Sequence, residues 1–329
     1  LRAAWLRRAL CAALLGLPAW PGAAAAAGSG LIYVTNEKSN DITVLDSRTN
    51  EVVRSFETCR RPRGIHFNLD RSRFLVACAD DDQIAVYDTA SGELVGRIRN
   101  ILRPETFALS PDGKMLYASN EEDATASFID LASRRVVAMV DTGEEPEGVQ
   151  VTADGKTVYV ASEANDLVHV IDTETAEARA DILVDTRPRR FALAPDESEL
   201  WVSAELAGVV DIIDTASNKV LGDIQFQPTG FRRDEVSPVD LLMTRDGKTA
   251  YVALGRANHV AVVDVATRKV LDYILVGKRA WGLALTRDEK TLYVANGLSD
   301  DISIVDTASR RVLKSVPVGR VPYGILIDD

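Results

Sequence analysis

Eight residues that recur at one kind of position in this chain could hold an anion. Arg61, Arg63, Arg103, Arg187, Arg189, Arg279, Trp281 and Tyr323 stand immediately before or after a proline that returns at a fixed interval, with Ala280 in its place once. Arginine offers a planar fork of N–H donors that matches a carboxylate, so the set suits a carboxylate-bearing cofactor or metabolite. Arg60, Arg190, Lys278 and Arg320 add to the same cluster. Internal pairing explains the same cations equally well, because Glu37, Glu121, Glu163 and Glu205 recur close by, and surface ion pairs are individually weak, about 0 to 1 kcal/mol. Both accounts stand on the sequence.

Other reactive side chains point to less. His66, His169 and His259 fall at different points of the repeat, with no Cys-x-x-Cys-His attachment and no His/carboxylate cluster at metal spacing. Neither a Gly-x-Ser-x-Gly elbow nor a nucleotide-binding glycine loop occurs, so no catalytic residue and no metal ligand is assigned. Cys59 and Cys78 project near the same rim. In an oxidising compartment a bridge between them would close a loop of about twenty residues and add on the order of 3 kcal/mol; two buried thiols are the alternative, and a Cα separation beyond about 7 Å would exclude the bridge. An irregular stretch from Gln225 to Ser237, with Phe226, Phe231, Arg232 and Arg233, is a candidate partner-docking loop.

These residues are positioned by repetition. An Asp ending an apolar run occurs at Asp46, Asp88, Asp130, Asp172, Asp214, Asp264 and Asp306, in steps of 42 residues with one of 50, and Pro62, Pro104, Pro146, Pro188, Pro238 and Pro322 keep the same beat. Each copy holds four short runs rich in Val, Ile and Tyr, bounded by Asp/Gly/Asn/Ser turns, which is the content of one propeller blade. The alternating pairs Ile65/Phe67 through Ile325/Ile327 predict one buried face on the first strand of every copy. The fold class expected is therefore all-β, a seven-bladed propeller of four-stranded antiparallel blades. Its first blade lacks an opening strand, and the eighth partial copy, 321–327, is expected to supply it and close the ring.

Residues 1–27 read differently: Arg2, Arg7 and Arg8, a short apolar run, Pro18 and an alanine tract, the order of a cleaved secretory signal, with a transmembrane anchor excluded by length. The expected division is a signal peptide over 1–27 and the propeller over 28–329, in the periplasm. The three arginines go with the leader, so the net charge of −11 becomes about −14, which argues against nucleic acid as a partner.

The segments Tyr33-Val34-Thr35-Asn36, Tyr117-Ala118-Ser119-Asn120, Tyr159-Val160-Ala161-Ser162, Tyr251-Val252-Ala253-Leu254 and Tyr293-Val294-Ala295-Asn296, with Ser110-Pro111-Asp112-Gly113-Lys114, resemble the YVTN family of β-propeller repeats. More narrowly, the chain is similar to periplasmic propellers associated with PQQ-dependent alcohol catabolism. That resemblance implies a non-enzymatic docking or binding module whose partner is a quinoprotein dehydrogenase, its cytochrome or a transport component, with no covalent cofactor and with PQQ or another carboxylate anion as a ligand. It supplies no catalytic residues. The competing expectation is a propeller hydrolase of the lactonase type acting on a small sugar lactone.

Overall fold

In the computed structural model, which describes residues 28–329, all regular structure beyond three single-turn 3-10 helices is strand. The signal-peptide reading of 1–27 lies outside the described residues. Twenty-eight strands form seven four-stranded antiparallel sheets. Blade 1 combines 31–57 with the C-terminal strand 322–328; blades 2 to 7 are 62–99, 104–141, 146–183, 188–225, 238–275 and 280–317.

Closure follows the expected route. Pro322–Asp328 pairs antiparallel with Leu31–Asn36, with Leu31 opposite Asp328, Tyr33 opposite Leu326 and Val34 opposite Ile325. The pairing satisfies backbone groups at both ends of the chain that an open ring would leave as a sheet edge.

Blade 4 shows the common plan. Pro146–Val151 is innermost, then Thr157–Ser162 and Leu167–Asp172, with Glu177–Leu183 outside. The middle strands are almost wholly buried, while the outer strand alternates and is mostly exposed. Apolar side chains of adjoining blades interdigitate, as where Tyr159, Val168 and Ile182 of blade 4 meet Phe191, Leu200 and Val202 of blade 5. A ring of such interfaces lets a chain this long fold without one oversized core. The predicted burial of the inner strand holds in five blades for its first apolar position and not its second, as Phe107 and Leu241 are buried but Leu109 and Met243 only half so. In blade 4 Val149 and Val151 are both half-buried, and in blade 1 Ile327 is buried and Ile325 half so.

Two local devices shape the axial end. In blades 2 to 7 the ladder between the first and second strands is interrupted just after the Pro position, for example between Pro146 and Val149. An interruption of this kind re-aims side chains. The residue after the proline, Arg63, Glu105, Glu147, Arg189, Val239, Trp281 or Tyr323, is buried in every blade. Inner strands also approach closely: a Cβ on Gly282 would lie 2.0 Å from the Tyr323 carbonyl oxygen, and one on Gly148 2.1 Å from that of Arg189. Only glycine fits there.

Candidate functional site at the channel mouth

Each blade fixes its rim residue by the same backbone bond, and all but blades 4 and 6 add a bond from that residue to a side chain. The N–H after the second strand donates to the carbonyl of the residue before the proline: Glu37 to Val321, Glu121 to Arg103, Glu163 to Glu145, Glu205 to Arg187, Gly297 to Arg279. In turn the N–H of that pre-proline residue donates to an Asn or Asp of the preceding blade, as Arg61 to Asn40 Oδ1 at 2.9 Å, Arg187 to Asp166 Oδ1 at 2.9 Å and Arg279 to Asn258 Oδ1 at 2.8 Å. Arg61, Arg103, Arg187 and Arg279 consequently sit at φ between 51° and 66°, in the left-handed region that non-glycine residues rarely occupy. The same conformation at Glu145 and Val321 marks it as a property of the scaffold.

A cavity of ≈ 390 Å³ opens at this end of the axis, of a size that suits a small metabolite. Of the eight residues proposed from sequence, Arg61, Arg63, Arg187, Arg189, Arg279, Trp281 and Tyr323 line it; Arg103 does not. Arg103 instead pairs on the rim with Glu121 at 3.2 Å.

Most of these cations are already partnered. On blades 2 and 3, Arg63 contacts Glu105 and bridges Glu37 at 3.0 Å, and Arg61 reaches Glu105 at 3.3 Å, Glu37 at 3.4 Å and Glu121 at 3.6 Å. On blades 4 and 5, Arg189 contacts Glu147 and bridges Glu205 at 2.5 Å and Glu163 at 2.8 Å, while Arg187 takes Glu163 at 2.6 Å and Glu205 at 3.2 Å. Internal pairing, one of the two accounts open at the sequence level, accounts for Arg61, Arg63, Arg103, Arg187 and Arg189. Tyr323, from the C-terminal strand, links the two groups: its hydroxyl donates to Glu147 at 3.1 Å, Arg190 bonds it, and the Arg63 guanidinium lies 4.2 Å from its ring centre.

Arg279 differs. Among the described residues no carboxylate lies within 4.0 Å of it, and its guanidinium stacks on Trp281 with 4.4 Å to the ring centre. Burial lowers its pKa against the pull of Glu205, with Arg189 adding to the decrease, so its charge is under-compensated although an arginine stays protonated. The buried Trp281 Nε1–H beside it has no hydrogen-bond acceptor.

Three carboxylates sharing two guanidinia cannot all ionise at low cost. Glu105, the most buried, is pushed up to about 8 by burial, against the pull of Arg63, with Glu147 and a hydrogen bond that its acid form donates to Glu121 adding to the rise. In the second group burial raises Glu163 far above the carboxylate range, helped by the neighbouring Glu147. Burial would raise Glu147 as well, but Arg189, the hydrogen bond from Glu163 and Arg190 hold it well below that range. Near neutrality Glu105 and Glu163 are thus carboxylic acids, able to donate a proton. Sequence reasoning left Glu105 and Glu147 without a role; comparing the seven post-proline residues would have singled them out.

Below this level lies a second space of ≈ 200 Å³ lined by His66, Arg190, Asp240, Trp281 and Tyr323 among others. His66 opens to the lumen yet is walled by protein, and burial with Arg190 lowers it to about 4, so it is neutral. Asp240, raised by burial against Arg190, accepts N–H bonds from Leu241 and Leu283.

A Ser-His-Asp arrangement also appears: Ser162 Oγ lies 2.8 Å from His169 Nε2, whose Nδ1 lies 2.6 Å from Asp181. It is a strut. Ser162 is fully buried, and Nε2 accepts the Gly143 N–H at 2.9 Å. In the same register blades 1, 3 and 7 place Asn36/Thr43, Asn120/Ser127 and Asn296/Ser303.

Cys59 and Cys78 are joined in a disulfide, with Cα atoms 5.6 Å apart, which ties the strand entry bearing Arg61 to the rim turn. The 225–237 loop departs from a docking surface with apolar anchors: Phe226 is 1% exposed, Phe231 packs against the same core and edge-on to His259, and Val236 is buried. Their apolar area is spent on the blade 5/6 interface; Arg232 and Arg233 remain outside. Among the described residues no group of His, Cys or acidic side chains suits a metal, and no helix is long and apolar enough to cross a membrane.

A family model described as a YNCE-like beta-propeller matches residues 32–285. No curated protein matches the sequence significantly. Among solved structures, the periplasmic gluconolactonase PpgL of Pseudomonas aeruginosa is 21% identical, covering 91% of this chain and 98% of its own at a TM-score of 0.77. A protein of unknown function from Desulfotomaculum acetoxidans is 15% identical over 91% and 99%, also at 0.77, and hydrazine synthase of Kuenenia stuttgartiensis is 22% identical over 80% and 88% at 0.71. At these identities the likeness is one of fold.

Proposed function

This chain belongs to the YNCE-like β-propeller family, and from that premise we propose that it is an exported propeller that binds a small sugar acid or its lactone at the channel mouth and hydrolyses the lactone. One observation carries the reading: Arg279, with no carboxylate within 4.0 Å among the described residues, lines a cavity together with Trp281 and the protonated acid Glu105. The indole N–H and the carboxyl oxygens are closed to solvent, and a ligand reaches them as the side chains of the mouth shift. The likeness to a periplasmic gluconolactonase and the disulfide support export and substrate class.

In this reading Arg279 and Trp281 Nε1–H stabilise negative charge growing on the lactone carbonyl oxygen. Water adds to the carbonyl carbon and the ring C–O bond breaks. Glu105 gives its proton to the departing ring oxygen and recovers one from the attacking water, and the product is the open hydroxy acid. Because the acid form of Glu105 is required, turnover falls as pH rises through about 8. Glucono-δ-lactone hydrolysis above the spontaneous rate, lost in Glu105→Gln, is the expected result; a wild-type protein with no turnover at any pH from 5 to 9 removes the reading.

A second reading is a docking module for a periplasmic quinoprotein dehydrogenase, its cytochrome or a transport component. The exposed Arg232 and Arg233 favour it. In that setting Arg279 and Lys278 would hold a carboxylate of PQQ. Co-purification of such a partner from periplasm, without lactone turnover, supports this reading over the first.

A further inference from the structure

The channel mouth does not end at the cavity between the arginine groups. A second hollow of ≈ 550 Å³ lies beside it over blade 6, and both are lined by Arg279 and Leu298. Arg256, Lys278 and Arg279 face the second one. Among the described residues none of the three has a carboxylate within 4.0 Å. Glu205, also on its wall, already bridges Arg189 at 2.5 Å and Arg187 at 3.2 Å.

The repeat explains why these cations lack partners. The residue after the second strand is Glu37, Glu121, Glu163 and Glu205 in blades 1, 3, 4 and 5, but Ala79 in blade 2 and Gly255 and Gly297 in blades 6 and 7. Arg61, opposite Ala79, takes Glu37, Glu105 and Glu121 from neighbouring blades, whereas among the described residues no carboxylate comes within 4.0 Å of Arg279. Arg279 and Gly297 stand in the relation of Arg187 and Glu205, joined by the same backbone bond, so the carboxylate that Arg187 meets at 3.2 Å is absent. Lys278 is likewise the counterpart of Arg60, whose guanidinium bridges Asp81 at 2.6 Å; blade 7 has Ser299 there, and Ser299 Oγ accepts the Lys278 N–H at 2.9 Å. Three uncompensated cations around one concavity, in a chain of net charge −11, form a local positive field where the rest of the surface repels anions.

We propose that this hollow is a subsite for a second anionic group on the ligand, a carboxylate or phosphate ester at the far end of the sugar chain, with Arg279 shared between the two ends. The proposal rests on the sugar-acid reading for the first anchor only. Each end is then held by charge-assisted hydrogen bonds, and a ligand with two anionic ends gains over one with a single end.

Titration calorimetry on the whole protein tests this with gluconate, glucarate, 6-phosphogluconate and inorganic phosphate. Glucarate or 6-phosphogluconate is expected to bind at least about tenfold tighter than gluconate, and the preferred one identifies the second group. In the Arg256→Ala/Lys278→Ala variant that ratio falls to about one. Gly297→Glu restores the missing partner, since a Cβ at 297 meets nothing closer than 3.8 Å, and is expected to weaken every ligand. Binding of inorganic phosphate that depends on Arg256 and Lys278, with no sugar acid bound, keeps the subsite and removes the sugar-acid reading. Equal affinity of wild type for gluconate, glucarate and 6-phosphogluconate, or a ratio unchanged in the double variant, overturns the subsite.

Discussion

The two arcs of the rim use one backbone scaffold for opposite ends. From blade 2 to blade 5 every arginine entering the axis meets glutamates from its own or a neighbouring blade; in blade 7 Arg279 and Lys278 stand in the same backbone positions with glycine and serine opposite, and Arg256 of blade 6 joins them from another position. The first arc is inward-looking, since its charges satisfy one another and its buried carboxyls keep protons. Over blades 6 and 7 the chain leaves positive charge uncompensated. Breaking a buried pair is costly because a lone charge remains, whereas removing a half-buried cation that has no partner strands no charge. Cation density alone therefore does not single out a candidate binding site; the missing partner does.

The largest test of this contrast is stability. Arg189→Met strands Glu147, Glu163 and Glu205 and is expected to cost about 3 to 5 kcal/mol in urea denaturation, whereas Arg279→Met is expected to stay within about 0.5 kcal/mol. Similar losses for both would erase the distinction between arcs. Next in size is the Cys59–Cys78 bridge, which anchors the Arg61 end of the compensated arc. Its reduction is expected to lower stability by about 3 kcal/mol with sugar-acid affinity at Arg279 retained; loss of affinity equal to that of Arg279→Met would show that the arcs are not independent.

Smaller, but sign-specific, is the pH dependence. Glu105 binds its proton more tightly in the fold than in the unfolded chain, about 8 against an ordinary 4.5. Its contribution is complete below the ordinary value and is lost as pH rises through about 8. Wild-type stability is expected to fall between pH 4.5 and 8 more steeply than that of Glu105→Gln, and equal slopes would place the proton elsewhere. The smallest effect concerns the struts: His169→Asn, which mimics the amide and hydroxyl pairings of other blades, is expected to leave lactone turnover unchanged, and a large loss of turnover would make Ser162 a nucleophile.

The propeller was legible because its signal is repeated seven times: turn chemistry, strand length and the post-proline position recur whatever each blade does. Seven of the eight rim residues share one cavity for the same reason. Which of them are free was legible only in part: Gly297 standing where Glu205 recurs marks Arg279, but other deciding carboxylates come from other blades, as Glu147 lies 42 residues from Arg189 and Glu37 26 from Arg63. The proton on Glu105 was hidden too, because its burial depends on ring closure that brings Tyr323 from the chain end to the axis. Phe226 shows the limit of composition: an aromatic in a long loop reads as a surface anchor until the blade 5/6 interface is built and claims it.

A crystal structure of the protein soaked with gluconate tests the central claim most directly. The carboxylate is expected against the Arg279 guanidinium and Trp281 Nε1, with the Arg–Glu groups of blades 2 to 5 undisturbed. Gluconate seated on Arg61 or Arg63 with their glutamates displaced, or density only outside the channel mouth, would contradict it.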